Sequence, residues 1–340
     1  MSSRYCALYD LQSRKIFSFM IKNSCLIDTP YALSIYLLRM SMADIKNTLF
    51  FVGDAVNINI ATKLPHYVLV KNQPVKDDWK YMSWLRVYKY IKCLSFPFTK
   101  LYVQDHLYIA SSFIGPYHYV NLPDGPQCYG IWEKGPYKPQ KPVYYNLSWK
   151  SKIKNFLSHG ATHGLMYGCN EQCGCRWITT LQEENSIYIK GKEYEYIDTY
   201  ALWENASVEK QEFIKNVFNI SSELIHQKQN IDMLILSQPL REDCELTDKE
   251  MYDIYAPYIL NCSNVAIKAH PRDKFDWKHY FPNVYLLETY APMQLLNYIG
   301  FCPKEAMTVC STSISDMPDS VKRTVIGTDI NPKIYKTYFR

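Results

Sequence analysis

Short apolar runs, each stopped by a polar or proline turn and several followed by a stretch of helical period, recur along this chain. Near the N-terminus Ser24-Cys25-Leu26-Ile27 stops at Asp28-Thr29-Pro30, and an amphipathic run continues to about Met40. The spacing predicts strand, tight turn, helix: Thr29 caps the helix and Pro30 fills its first turn, where a missing N–H costs nothing. Further short strands are expected at Thr48–Val52, Tyr67–Val70, Leu101–Val103 and Tyr117–Asn121, with a helical pattern around 78–93. Alternation of this kind implies a mostly parallel sheet with helices on its faces. Residues 126–147 are rich in Pro, Gly, Tyr and Lys and read as a long surface loop. Patterns resume at 149–158 and 187–198, and a helix is expected over about 207–227.

A polar hinge, Gln227 to Asn230, then precedes a second series. It opens with the apolar run Ile231–Leu240, followed by a polar loop at 241–245. Thr247 with Glu250 forms a capping-box pattern that opens a helix to about Ile259. Val265-Ala266-Ile267-Lys268-Ala269 runs straight into His270-Pro271, and proline ends a central strand because it has no N–H to donate. Strands at Asn283–Leu287, Met307–Cys310 and Thr324–Gly327, a helix at Met293–Tyr298 and a closing helix over Pro332–Arg340 complete the expected elements. The domain boundary is placed near 228. Residues 1–228 form an N-terminal Rossmann-like unit (1–20 a short extension), 229–325 a C-terminal Rossmann-like unit, and 326–340 a closing segment.

With 340 residues the chain is long enough for two cores. At 47% hydrophobic and 21% charged it is an ordered globular protein rather than a disordered one. A net charge of +5 with no Lys/Arg run argues against nucleic acid, while a mildly basic surface suits a peripheral seat on an anionic inner membrane. No signal peptide or spanning segment is expected, which points to the cytoplasm. Eleven cysteines, scattered and odd in number, suit a reducing compartment. Cys169, Cys173 and Cys175 form the one cluster; His163 has no zinc-site spacing from them, so free thiols are the preferred reading. Thirty tyrosines fit half-buried strands and sugar-facing surfaces, though AT-rich coding accounts for them more simply.

Chemistry gathers at the predicted strand ends, where ligands bind in open α/β sheets. His270 stands at one such end, and Ser311-Thr312-Ser313, a hydroxyl cluster with no apolar role, at another. An imidazole beside hydroxyls suits a phosphate-bearing leaving group. Asp124, in Leu122-Pro123-Asp124-Gly125, stands at the sheet edge of the first unit, although turn chemistry alone also selects Asp-Gly. There is no G-x-G-x-x-G, Walker A or D-x-D, so dinucleotide, P-loop and metal-clamped diphosphate sites are not expected.

The Thr-Pro-Tyr turn at 29–31, Leu236-Ser237-Gln238-Pro239-Leu240, Lys268-Ala269-His270-Pro271-Arg272-Asp273 and the Ser-Thr-Ser turn recur in this order in bacterial sialyltransferases. The chain resembles glycosyltransferase family 52, the lipooligosaccharide and capsule enzymes, over roughly 20–325. That resemblance implies a GT-B-like fold, two Rossmann-like domains facing across a cleft. It also implies an inverting, metal-independent enzyme without cofactor, moving sialic acid from the donor CMP-sialic acid to a glycan acceptor. By carry-over His270 is the general acid at the CMP phosphate, with Lys268 and Pro271 in the same contact. Ser311 and Thr312 hydrogen-bond the phosphate, Ser237 and Gln238 lie beside the nucleotide, and Thr29 and Ser313 belong to the substrate site. Where relatives place a ribose-binding glutamate this chain has Gln294. The base is expected upstream of His-Pro: Asp243 in Glu242-Asp243-Cys244 ranks ahead of Asp124, with Asp248 a further candidate. Family enzymes can be homodimers. The rival readings are another CMP- or CDP-donor transferase (Kdo or polyol phosphate) and an inactive sugar-binding homologue.

Overall fold

The computed structural model describes residues 21–71, 100–107, 110, 119–124, 175–180, 193–221 and 231–338. The expected extension 1–20, the helix at 78–93, the loop at 126–147, the 149–158 segment, Cys169, Cys173 and the hinge near 228 lie outside them.

Two all-parallel sheets carry the structure. The first has seven strands: β1 (Asn23–Ile27), β2 (Thr48–Val52), β3 (Tyr67–Leu69), β4 (Lys100–Val103), β5 (Tyr119–Asn121), β6 (Cys175–Thr179) and β7 (Glu193–Tyr196). Their order is β3-β2-β1-β4-β5-β6-β7. The second has five: β8 (Met233–Leu236), β9 (Val265–Lys268), β10 (Tyr285–Leu286), β11 (Glu305–Thr308) and β12 (Lys322–Val325), in the order β10-β9-β8-β11-β12. In each sheet the chain winds outward one way and then returns past its first strand, so the order reverses between β1 and β4 and between β8 and β11. Crevices form at such reversals, outside the carboxyl ends of the strands. β1 and β2 are buried along their whole length, as expected of strands covered on both faces.

The β1 turn folds as its residues predict. Thr29 accepts from Ala32 N–H, Pro30 is the first residue of α1 (Pro30–Arg39), and the helix buries Ala32 through Leu38 against the sheet. Short helices α2 (Met42–Lys46), α3 (Ile58–Ala61) and α4 (Thr199–Glu204) follow. The helix expected over 207–227 is shorter: α5 (Val208–Val217) is broken by Asn219, whose φ of 56° is a left-handed conformation that asparagine tolerates.

In the second unit the expected strand Ile231–Leu240 is confined to β8, and the polar loop expected at 241–245 is instead helix α6 (Leu240–Cys244). Pro239 at its start and Glu242 and Asp243 in its first turn favour a helix there. α7 (Asp248–Ile259) has the full Thr247/Glu250 capping box, and the two Thr247 donors with Lys333 hold the Glu250 carboxyl down at about 2. α8 (Trp277–Tyr280), α9 (Met293–Tyr298) and α10 (Pro332–Tyr338) complete it. Among the described residues no helix is long and apolar enough to cross a membrane.

Strand alternation divides the core. Leu234 and Leu236 of β8, Ala266 of β9 and Ala306 of β11 face an apolar cluster that also contains Leu296, Phe301 and, from the first unit, Trp203, Val217 and Phe218. Their neighbours Ile235, Ile267 and Met307 face the other way, onto Met251, Tyr255 and Trp277. Polar bonds seal the seam: Tyr290 N–H and Thr289 Oγ1 both donate to the Phe218 carbonyl (3.0 and 2.9 Å), and Asn219 Nδ2 to the Glu288 carbonyl (2.6 Å).

Candidate functional site

At the second sheet, three neighbouring strands end in polar residues: β8 in Ser237 and Gln238, β9 in Lys268 and His270, and β11 just before Ser311. His270-Pro271-Arg272-Asp273 is a tight turn closed by Asp273 N–H to the His270 carbonyl (2.9 Å). Pro271 stands second in it, where its fixed φ suits a β-turn, so its place follows from backbone geometry. The imidazole Nδ1 accepts the Arg272 backbone N–H (3.1 Å), which leaves the proton on Nε2. Burial, then Arg272 and Lys268, push His270 down to about 4 against the opposing pull of Asp243. The imidazole is therefore neutral at pH 7 until an anion arrives, and it offers one Nε2–H donor.

Lys268 is half-buried, and burial alone lowers its ammonium to about 8. Among the described residues no carboxylate pairs with it, so a positive charge stands beside His270 without a counter-ion. Asp243, by contrast, is held by both Arg272 guanidinium nitrogens (2.8 and 2.9 Å), with the Tyr338 hydroxyl at 3.4 Å. This pairing raises Arg272. Asp248 of α7 is engaged by Arg241 at 2.9 Å and by the Tyr280 hydroxyl.

Ser237 is buried and its hydroxyl is used internally: it donates to Asp273 Oδ2 (2.5 Å) and accepts the His270 N–H (3.0 Å). Gln238 Oε1 accepts from the Cys310 thiol (2.6 Å), itself pushed up by burial to about 11. Ser311 caps the 3₁₀ turn Thr312–Asp316 by accepting the Ser313 N–H (3.3 Å), which leaves its own O–H to donate outward. Thr312 is exposed and Ser313 half-buried on that turn. Gln294 of α9 does not join the His270 group; its side chain bonds Asp316, which burial raises to about 7.

A second polar group occupies the reversal point of the first sheet. Gln104, after β4, accepts the backbone N–H of Asp28 (2.6 Å) and Thr29 (3.2 Å) through Oε1, and donates through Nε2 to Thr29 Oγ1 (3.1 Å) and Asp124 Oδ1 (2.8 Å). Thr29 Oγ1 also receives Ala32 N–H and donates to the Asp124 carbonyl (3.4 Å), so its hydroxyl is fully engaged. His106 Nε2 lies 3.7 Å from Asp124 Oδ1, and burial lowers the imidazole despite that carboxylate. Asp28 Oδ1 takes the Ala55 N–H (3.1 Å) and fills the space beside Gly53, where a Cβ would stand 1.9 Å from it.

The predicted residues thus fall into two sets, Ser237, Lys268, His270 and Asp243 with the Ser311 turn in the second unit, and Thr29 with Asp124 in the first. Gln104, His106, Asp273 and Asp316 were not predicted. Asp273 was visible as the close of the His-Pro-Arg-Asp turn; the others have partners too distant in sequence to leave a local signal. Among the described residues no group of three or more His, Cys, Asp and Glu side chains is placed to hold a metal ion.

Residues 138–334 match the profile of glycosyltransferase family 52, a span that contains the whole second sheet and excludes Thr29 and Asp124. An uncharacterised protein of Haemophilus influenzae is 28% identical over 238 residues, 69% of this chain and 71% of its own. Among solved structures, the 2,6-sialyltransferase of Photobacterium sp. JT-ISH-224, in complex with CMP and lactose, superposes with a TM-score of 0.57 at 11% identity. The match covers 89% of this chain and 71% of that one. The GT-B domain of the Photobacterium damselae sialyltransferase gives 0.51 at 13% identity, covering 88% and 89%. At such identities the likeness speaks for the fold, which is GT-B.

Proposed function

Because the chain belongs to glycosyltransferase family 52, we propose that it is an inverting sialyltransferase. It moves sialic acid from CMP-sialic acid to a sugar hydroxyl of a bacterial surface glycan, lipooligosaccharide or capsule. The observation that carries this reading is the half-buried Lys268 ammonium without a counter-ion beside a neutral His270 at the end of the same strand, β9. Such a pair is short of one anion, and the phosphate of a cytidylate supplies it.

Cleavage of the bond between the anomeric carbon and the phosphate leaves negative charge on the phosphate. Lys268 and the Ser311 hydroxyl stabilise that charge where it develops. The neutral imidazole acts as the acid by donating its Nε2–H in a hydrogen bond to the leaving oxygen where that charge develops, and it keeps the proton. The base that takes the acceptor proton is Asp243. It lies within the span the family shares, and His270 feels its charge. Arg272 is exposed, so an arriving anion competes with Asp243 for the guanidinium and frees the carboxylate. A nucleoside monophosphate carries a single phosphate, and these residues neutralise it without a divalent ion. The free thiols of Cys25, Cys244, Cys262, Cys302 and Cys310 suit a cytoplasmic site, with peripheral membrane contact and a homodimer as parts of the same proposal.

A donor screen with CMP-sialic acid, CMP-Kdo and CDP-glycerol, read by product NMR, tests the reading. Turnover of CMP-sialic acid with inversion is expected. Preference for either other donor replaces the substrate, and no turnover of any favours a sugar-binding homologue.

A further inference from the structure

Asp273 accepts three bonds at once: Ser237 O–H on Oδ2 (2.5 Å), Trp277 Nε1–H on Oδ2 (3.0 Å) and Phe275 N–H on Oδ1 (3.0 Å). An ionised carboxylate can only accept, so the Ser237 proton must point at Asp273. That fixes the rotor and turns a serine lone pair towards the His270 backbone N–H, 3.0 Å away. The polarity of the chain, His270 N–H to Ser237 to Asp273, is thereby set in one direction. Asp273 also closes the turn through its own N–H to the His270 carbonyl (2.9 Å), and inside that turn Arg272 N–H meets Nδ1. His270 is held at its amide, its carbonyl and its inner ring nitrogen. Its outer nitrogen alone is left to act.

We propose that Asp273 is the positioning residue of the general acid, and that Ser237 is its relay to His270 and not a ligand of the nucleotide. Asp273 fixes where the imidazole stands through Ser237, and which nitrogen carries the proton through the turn it closes. Trp277 anchors the carboxylate in turn, packed edge-on against Tyr255 and Phe275 in the core. The proposal rests on the reading of His270 as the acid.

The test uses the full chain with CMP-sialic acid, measuring kcat, CMP affinity and melting temperature for Asp273→Asn, Ser237→Ala, Ser237→Thr, His270→Ala and the combinations. Displacing a reacting group by about 1 Å costs up to about 100-fold, so Asp273→Asn and Ser237→Ala are each expected to lower kcat roughly 10- to 100-fold. CMP affinity should stay within about twofold, and the double variant should lose no more than either single one, because the two act as a unit. Ser237→Thr, which keeps the hydroxyl, should restore most of the rate. On a His270→Ala background Asp273→Asn should add little. Losses that multiply, or a loss of CMP affinity in Ser237→Ala, would overturn the proposal while leaving His270 as the acid. A His270→Ala enzyme of near wild-type rate would instead remove the acid itself, and Asp273 with it. Should Asp273→Asn fail to fold, Ser237→Ala leaves the carboxylate and its Trp277 and Phe275 bonds in place and decides the matter.

Discussion

Replacing Lys268 by methionine isolates the unpaired charge on which the donor site depends. Two unit charges about 4 Å apart attract by about 4 kcal/mol at an effective dielectric constant near 20. Lys268 is half-buried rather than sealed, so screening reduces this to about 2–3 kcal/mol, a loss of roughly 30- to 200-fold in CMP affinity at pH 7. The pH dependence is a sharper measure. Burial lowers the ammonium to about 8 in the free enzyme, so its charge is present below that value and lost above it. A phosphate monoester finishes ionising at about pH 6, and His270, at about 4, is neutral throughout the alkaline range. Titration calorimetry with CMP from pH 7 to 9.5 should therefore show Kd level to about 8, then rising about tenfold per unit. The Lys268→Met enzyme should give a flat, weaker line. An equal alkaline rise in the variant, or CMP affinity within about threefold of wild type at pH 7, would refute the role given to Lys268.

Three further expectations are simpler to read. Gly53→Ala forces a Cβ into the place of Asp28 Oδ1 and breaks its bond from Ala55 N–H, so it should destabilise by about 2–5 kcal/mol with a matching fall in Tm; an unchanged melting curve would mean Asp28 moves freely. Asp243→Asn should lower kcat by at least about 100-fold and Asp124→Asn far less, and the reverse ranking in a single-turnover assay moves the base to the first unit. Activity should survive EDTA at millimolar excess, and strict dependence on added divalent ion would contradict the charge balance drawn from Lys268, His270 and Ser311.

The parts of this structure that sequence made legible are those whose causes are local. Thr29-Pro30 and Thr247/Glu250 start helices through contacts three residues away, and Pro271, lacking an N–H, keeps β9 from running on past His270. α6 departs from the loop expected at 241–245 because the polar run there hides a helix signal, the acidic first turn after Pro239. Gln104 was invisible for a different reason. Its worth lies in joining Asp28, Thr29 and Asp124, residues up to 76 positions away, and a glutamine after a strand announces nothing by itself. The same holds for Ser237, whose hydroxyl reads as a ligand group until Asp273, 36 residues on, is seen to claim it.

The seam through Phe218, Leu234, Leu236 and Ala306 has a consequence for handling the protein. Each half lends side chains to this common interior, so although the second also has a cluster of its own around Tyr255 and Trp277, neither can bury its seam-facing side alone. Separately produced halves should therefore be sticky and poorly folded, heating should melt the pair in one step, and any widening needed to admit a bulky glycan must come from the loops rather than from prising the sheets apart.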